Sequence, residues 1–109
     1  MAALSAILGS SIAPGVRGAI TKWYIEILPG VFVGSVSARV RELLWNELSQ
    51  SIEISGEGYA VLVASAPTEQ GFSLQQIGNH GYRIEDFLGL SLVTRERKRM
   101  TPEIVELIE

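Results

Sequence analysis

The chain has 109 residues and no cysteine, so it fits a single domain and excludes disulfide bonds and thiolate metal sites. Hydrophobic residues make up 47% of the chain and charged residues only 19%, which excludes intrinsic disorder and favours an oligomer that buries apolar surface. The formal net charge of −3 argues against a generally basic nucleic-acid-binding protein, although a local set of arginines can still contact phosphate.

The first element predicted along the chain is a β-strand. Residues 2–8 are an apolar run of strand length, and the Gly-Ser-Ser sequence at 9–11 ends it before Pro14. The run is too short to span a bilayer and lacks the basic residues that begin a secretion signal. We therefore expect a cytoplasmic protein that does not enter a membrane.

The next segment has the periodicity of an amphipathic helix. Five apolar residues recur there at helical spacing: Val16, Ile20, Trp23, Tyr24 and Ile27. The Leu-Pro-Gly sequence at 28–30 ends the predicted helix. We assign Trp23, and Trp45 further along, to packing, because tryptophans on helix interiors are usually core or dimer anchors.

A second strand and helix follow. Residues 31–33 predict a short strand, and Ser37 is a suitable cap for a helix. The apolar residues predicted to face inward from this helix are Val40, Leu43, Leu44 and Leu48. The polar segment 51–58 predicts a loop.

The later part of the chain predicts strands. Residues 59–65 and 72–78 read as an antiparallel hairpin joined by a turn at 67–71, and a last strand covers 90–93. The predicted order is βαβαβββ, which indicates an α+β domain over residues 1–94 with two helices on one face of a mainly antiparallel sheet.

Residues 95–109 predict a basic tail with a short helix. Its cations are Arg95, Arg97, Lys98 and Arg99, and its apolar stripe contains Ile104, Val105, Leu107 and Ile108. Thr101 and Pro102 form a good helix start, but the segment is too short to be helical alone in water. It can dock on a partner, fold back on its own dimer or fray, and we expect docking.

The segment 30–45 joins an apolar strand to a helix through a Gly-Ser turn. Together with 14–18 and Trp23 upstream and 68–72 downstream, it resembles the small Cas2 subunit of CRISPR adaptation complexes in its type I-E form, from about Leu4 to Val93. The resemblance implies a ferredoxin-like fold. It also implies a homodimer, completed by strands after Phe72, that bridges two integrase dimers and binds duplex DNA during spacer acquisition.

The resemblance also implies roles for individual residues. Arg17, Arg39 and Arg41 match basic positions that contact the DNA duplex, and Arg83 stands close to a further basic pair of the family. A helix N-terminus favours a phosphate beside such arginines, although ion pairing of Arg39 or Arg41 with Glu42 or neighbouring acids is the alternative. Glu69 matches an acidic position that pairs with the integrase, and we expect the tail to contact the same partner.

The family's metal position carries Ser10 in this sequence. Relatives resemble metal-dependent nucleases with an acidic residue at the end of the first strand. Mg²⁺ usually requires at least one carboxylate, and a serine does not supply one. We expect Ser10 and Ser11 to satisfy turn backbone groups, and no metal cofactor. The lone His80 is expected to be a solvated loop residue.

Two other functions stay open at the level of sequence. One is a metal-dependent endonuclease that cuts single-stranded RNA or DNA and would need Mg²⁺. The other is a ferredoxin-like binding or regulatory module with no role on nucleic acid.

Overall fold

The computed structural model describes residues 2–78, 82–87 and 90–95, with the backbone alone at 82–87 and 94–95. Seven strands and two helices occur in these ranges. In chain order they are β1 (Ala3–Ser10), α1 (Pro14–Thr21), β2 (Ile25–Leu28), β3 (Val31–Val36), α2 (Ala38–Ser55), β4 (Tyr59–Ser65), β5 (Phe72–Gly78), β6 (Tyr82–Phe87) and β7 (Leu90–Arg95).

Five strands form one antiparallel sheet in the order β2-β3-β1-β4-β5, and β6 pairs with β7 in a separate two-stranded sheet. The central strand β1 lies between β3 and β4. Strand β3 lies between β1 and β2, which are joined by α1, and this is the arrangement of a split βαβ unit. The predicted α+β class is confirmed, and the arrangement is consistent with a ferredoxin-like fold.

The hydrophobic core lies between one face of the sheet and the two helices. Ile7 of β1 stands opposite both Phe32 of β3 and Leu62 of β4, and all three are buried. They belong to one cluster with Ile20 of α1 and Leu48 of α2, which are fully buried. Alternation along each strand places the neighbouring side chains on the opposite face.

We call that opposite side the open face. Along β1, β3, β4 and β5 the strand register assigns nine apolar side chains to it, all exposed or half-buried: Leu4, Ala6, Leu8, Val31, Val33, Val61, Val63, Phe72 and Leu74. Both helices lie on the other side of the sheet. The open face is therefore an apolar surface that neither helix covers.

The first helix is shorter than predicted. It ends at Thr21, and Ile25–Leu28 is a strand that forms a hairpin with β3, so the order βαβαβββ is corrected to βαββαββββ. The β-branched pair Ile25 and Ile27 favours a strand, and Gly30, at φ +81°, permits the turn. Trp23 is 55% exposed instead of packed, because Tyr24 turns inward.

The second helix is longer than predicted. Ser37 caps it as expected, with its Oγ accepting from the Val40 N–H at 3.3 Å. The helix continues through Ser55 into the predicted loop, because Ile52 extends the buried stripe that contains Leu44 and Leu48. Leu43 lies outside this stripe and is 61% exposed, so its predicted inward position is wrong.

The predicted hairpin of β4 and β5 is confirmed at both strands. Strand β6 was not predicted, and β7 continues two residues beyond the predicted end. His80 and residues 96–109, which include the predicted tail helix, lie outside the described residues. Among the helices of the described ranges, none is long and apolar enough to cross a membrane.

A buried hydrogen bond joins β1 to the segment after α1. Ser5 Oγ and Tyr24 Oη lie 2.6 Å apart, and both residues are buried. Tyr24→Phe leaves the Ser5 hydroxyl without this partner, so we expect it to lower the free energy of unfolding by about 1–3 kcal/mol in urea denaturation. Adding Ser5→Ala should recover part of the loss. The pairing would be contradicted if the double variant lost as much stability as Tyr24→Phe alone, or the sum of the two single losses.

Candidate nucleic-acid interface

The first candidate residue, Arg17, lies in the first turn of α1. Pro14 begins the helix, where its missing N–H costs nothing, and the Arg17 N–H donates to the Ala13 carbonyl at 2.9 Å. The Arg17 side chain is 41% exposed and forms an ion pair with Glu26 of β2. The guanidinium is thus held at the surface, between α1 and the β2–β3 hairpin.

Glu26 connects three parts of the fold. Its Oε2 accepts from the Arg17 guanidinium and from the Gly30 backbone N–H, the latter at 3.0 Å. The Gly30 carbonyl accepts from the Gly9 N–H at 2.8 Å, and a Cβ on Gly30 would overlap the Gly9 carbonyl oxygen. The Arg17 pair is therefore anchored to the β2–β3 turn and to the end of β1.

Arg39 and Arg41 lie in the first turn of α2. Arg39 is exposed and Arg41 half-buried, and this turn contains no acidic residue. Within the described residues neither arginine has an ion-pair partner, so the alternative pairing with Glu42 does not occur in this structure. Both arginines can therefore bind an anion from solvent without first breaking an ion pair with a carboxylate.

The structure places these arginines in two groups on the helix layer. Helices α1 and α2 run in opposite directions, because β1 leads into α1 at one end of the sheet and β3 leads into α2 at the other. The first turn of α2 accordingly lies beside the end of α1, where a shallow groove is lined by Ala19, Lys22, Trp23, Val40, Leu43, Leu44 and Glu47. Arg17 lies beside the β2–β3 turn instead, in a depression lined with Glu26 and Pro29.

The structure describes only part of the remaining predicted contacts, which are Arg83 for DNA and the residues of the tail for the integrase. Arg83 belongs to β6 and Arg95 ends β7, and the description of both is limited to the backbone. The predicted integrase contacts Arg97, Lys98, Arg99, Ile104, Leu107 and Ile108 lie outside the described residues.

Glu69 lies on the exposed turn between β4 and β5. The turn is closed by bonds from Ala66 N–H to Gly71 O at 3.1 Å and from Gly71 N–H to Thr68 O at 3.0 Å. The Gln70 side chain beside Glu69 donates to the Ser91 carbonyl and accepts from the Ser91 N–H, both at 2.8 Å. The turn carrying Glu69 is thus tied to β7.

Ser10, the residue that the sequence resemblance matched to a metal position, is the last residue of β1. Ser11 follows at φ +59°, so the end of the strand offers hydroxyl and backbone groups. Groups of three or more Asp, Glu, His or Cys side chains that could hold a metal ion are absent from the described residues. A divalent cation prefers carboxylates, so the residues at this position do not fit one, and we derive no step through a metal.

Sequence reasoning missed Glu26 as a functional candidate. The predicted helix over residues 14–28 placed Glu26 on a polar helix face, whereas in the structure it stands on a strand opposite Phe32. The local signal was the alternation of Ile25, Glu26 and Ile27 directly before a Pro-Gly turn, which is typical of a short hairpin strand.

A comparison against protein families agrees with the fold. The family model described as CRISPR-associated protein (Cas_Cas2CT1978) matches residues 4–92, from β1 into β7, which is well over half of the chain. The matched range contains the whole five-stranded sheet, both helices and the three arginines of the helix layer. The chain therefore belongs to this family and is a Cas2-like CRISPR-associated protein.

Proposed function

We propose that this protein is the architectural subunit of a type I-E CRISPR adaptation complex. In this role a cytoplasmic homodimer bridges two integrase dimers and holds duplex DNA by its phosphates during spacer acquisition. The observation that carries the proposal is the division of the protomer into an apolar open face and a helix layer with arginines. No step of this role needs a metal ion held by the chain.

The open face supports a homodimer. Leu4 is 62% exposed and Leu8 38% exposed, and they lie beside half-buried valines on both neighbouring strands. A contiguous apolar sheet face of this kind on a small domain marks an interaction surface. A second copy with the same face gives a closed two-fold interface, and β6–β7, a separate sheet, can extend the partner's sheet.

Dimerisation through the open face would leave both helix layers on the outside. Arg17, Arg39 and Arg41 would then be presented by each protomer, on opposite sides of the dimer. Their positions in first helical turns favour phosphate oxygens, because free backbone N–H groups and the helix dipole add to the side-chain charge. Contacts of this kind position a duplex without reading its sequence.

The exposed β4–β5 turn supports an integrase contact at Glu69. The turn is rigidly closed, and Glu69 has no partner in the described residues. A carboxylate presented in this way can pair with a cation on another protein. We propose the predicted tail, residues 95–109, as a second contact with the same partner.

Reconstitution with the cognate integrase tests the proposal. The integrase and a splayed duplex should form a complex in gel shift, and insert the duplex into a CRISPR repeat, only when this protein is added. Glu69→Lys should reduce complex formation, whereas Glu57→Lys, an exposed substitution on another loop, should not. Insertion at the same rate without this protein would contradict the architectural role, and DNA or RNA cleavage by this protein alone would favour a nuclease instead.

A further inference from the structure

We propose that Glu26 is a positioning residue that orients the Arg17 guanidinium for a DNA phosphate. This inference rests on the DNA-binding function proposed above. The Arg17–Glu26 contact is the only ion pair in the parts of the chain that the structure describes. Of the three arginines on the helix layer, Arg17 is thus the one whose direction is set by a neighbouring acid.

The geometry of the pair leaves donors free for a phosphate. Arg17 binds Glu26 through Nη1 alone, and Oε2 of Glu26 is shared with the Gly30 N–H. A guanidinium carries five N–H donors, so those on Nε and Nη2 have no recorded partner in this pair. With 41% of the Arg17 side chain exposed, a phosphate can bind these donors while the ion pair stays intact.

Glu26 is itself held in place by the backbone. Only 23% of its side chain is exposed, and it accepts from Gly30, whose carbonyl is bonded to Gly9 at the end of the central strand. The carboxylate therefore has a position fixed by the sheet. A long arginine side chain tied to such a fixed point loses less rotamer freedom when DNA arrives.

Positioning and simple repulsion by Glu26 have opposite effects on DNA binding. A carboxylate near phosphate repels it, so removing the charge should strengthen binding if repulsion dominates. Removing the charge should weaken binding if the carboxylate orients Arg17. Glu26→Gln separates the two effects, because glutamine keeps the side-chain length and an oxygen for the Gly30 N–H but loses the charge that holds the guanidinium.

The test measures duplex affinity of the full-length chain by fluorescence anisotropy over a range of salt concentrations. We expect Glu26→Gln to raise the Kd about three- to tenfold, the size of the net contribution of one ordinary hydrogen bond. Its salt slope should stay unchanged, since Arg17 keeps its charge. Arg17→Ala should lower the slope by about one unit per contact, and adding Glu26→Gln to it should change the Kd by less than about twofold.

A matched control removes an acid that holds no arginine. Glu42→Gln on α2 should leave the Kd unchanged or lower it, since Glu42 is exposed and has no partner among the described residues. The positioning role alone would be overturned if Glu26→Gln bound DNA as tightly as the wild type or more tightly. It would also be overturned if Glu26→Gln raised the Kd by the same factor in the Arg17→Ala background as in the wild type. An Arg17→Ala variant with wild-type affinity and slope would overturn the Arg17 contact itself, and the positioning role with it.

Discussion

The double variant Leu8→Glu/Val63→Glu should sediment as a monomer at micromolar concentration, where the wild-type chain should sediment as a dimer. Both side chains lie on the open face, on the adjacent strands β1 and β4. A two-fold interface would bring four new carboxylates into an apolar contact, and each buried unpaired charge is costly. We expect the dimer Kd to rise at least about 100-fold, measured by sedimentation equilibrium.

The fold of the protomer should survive this double substitution. Leu8 is 38% exposed and Val63 only half-buried, and neither belongs to the core between the sheet and the helices. The control is Leu43→Glu, which places one carboxylate on the helix layer at a 61% exposed position and should leave the dimer intact. A wild-type monomer, or a double variant that still dimerises, would remove the basis for the bridging role.

The triple variant Arg17→Glu/Arg39→Glu/Arg41→Glu should bind duplex DNA at least about 100-fold more weakly near 0.1 M salt, because each reversal removes a phosphate contact and adds repulsion. The loss should be the same for unrelated sequences, since phosphate contacts carry no sequence information. The plot of log K against log salt should become shallower by about 0.9 for each phosphate contact that is lost. Fluorescence anisotropy with two unrelated duplexes measures both quantities.

A control for added charge is Asn46→Glu/Gln50→Glu, two exposed residues of α2 beyond its first two turns. This variant should weaken binding only a few-fold, by general repulsion at a distance. If the triple variant binds DNA with wild-type affinity and salt slope, the helix layer is not the DNA-binding surface. Circular dichroism and sedimentation should show that the triple variant and this control both remain folded dimers.

The parts of the fold that were predicted correctly depend on local signals. The β4–β5 hairpin follows from two β-rich runs around a turn rich in Pro, Thr and Gly, and the start of α2 follows from a serine cap. The error came after α1, where Ile20, Tyr24 and Ile27 fit helical spacing although the chain turns into a strand at Ile25. The pairing of residues 25–28 with β3, which is a tertiary contact, favoured a strand over a helix.

The candidate site was predictable in its positions but not in its contacts. The sequence placed Arg17, Arg39 and Arg41 in first helical turns, and the structure has them there. Nothing local indicated that Glu26 would bind Arg17, because that pair forms only once α1 and the β2–β3 hairpin are assembled. That Arg39 and Arg41 have no ion-pair partner among the described residues is likewise a property of the assembled fold.

The two hydrogen bonds between Gln70 and Ser91 have a consequence for how this chain tolerates mutation. One side-chain amide takes the place of a backbone rung and forms two hydrogen bonds that join the β4–β5 turn to β7. Exchange of Gln70 for another residue would leave every strand pairing of the body intact. Substitution at residue 70 can therefore loosen the β6–β7 unit from the β4–β5 turn without any change in the five-stranded sheet.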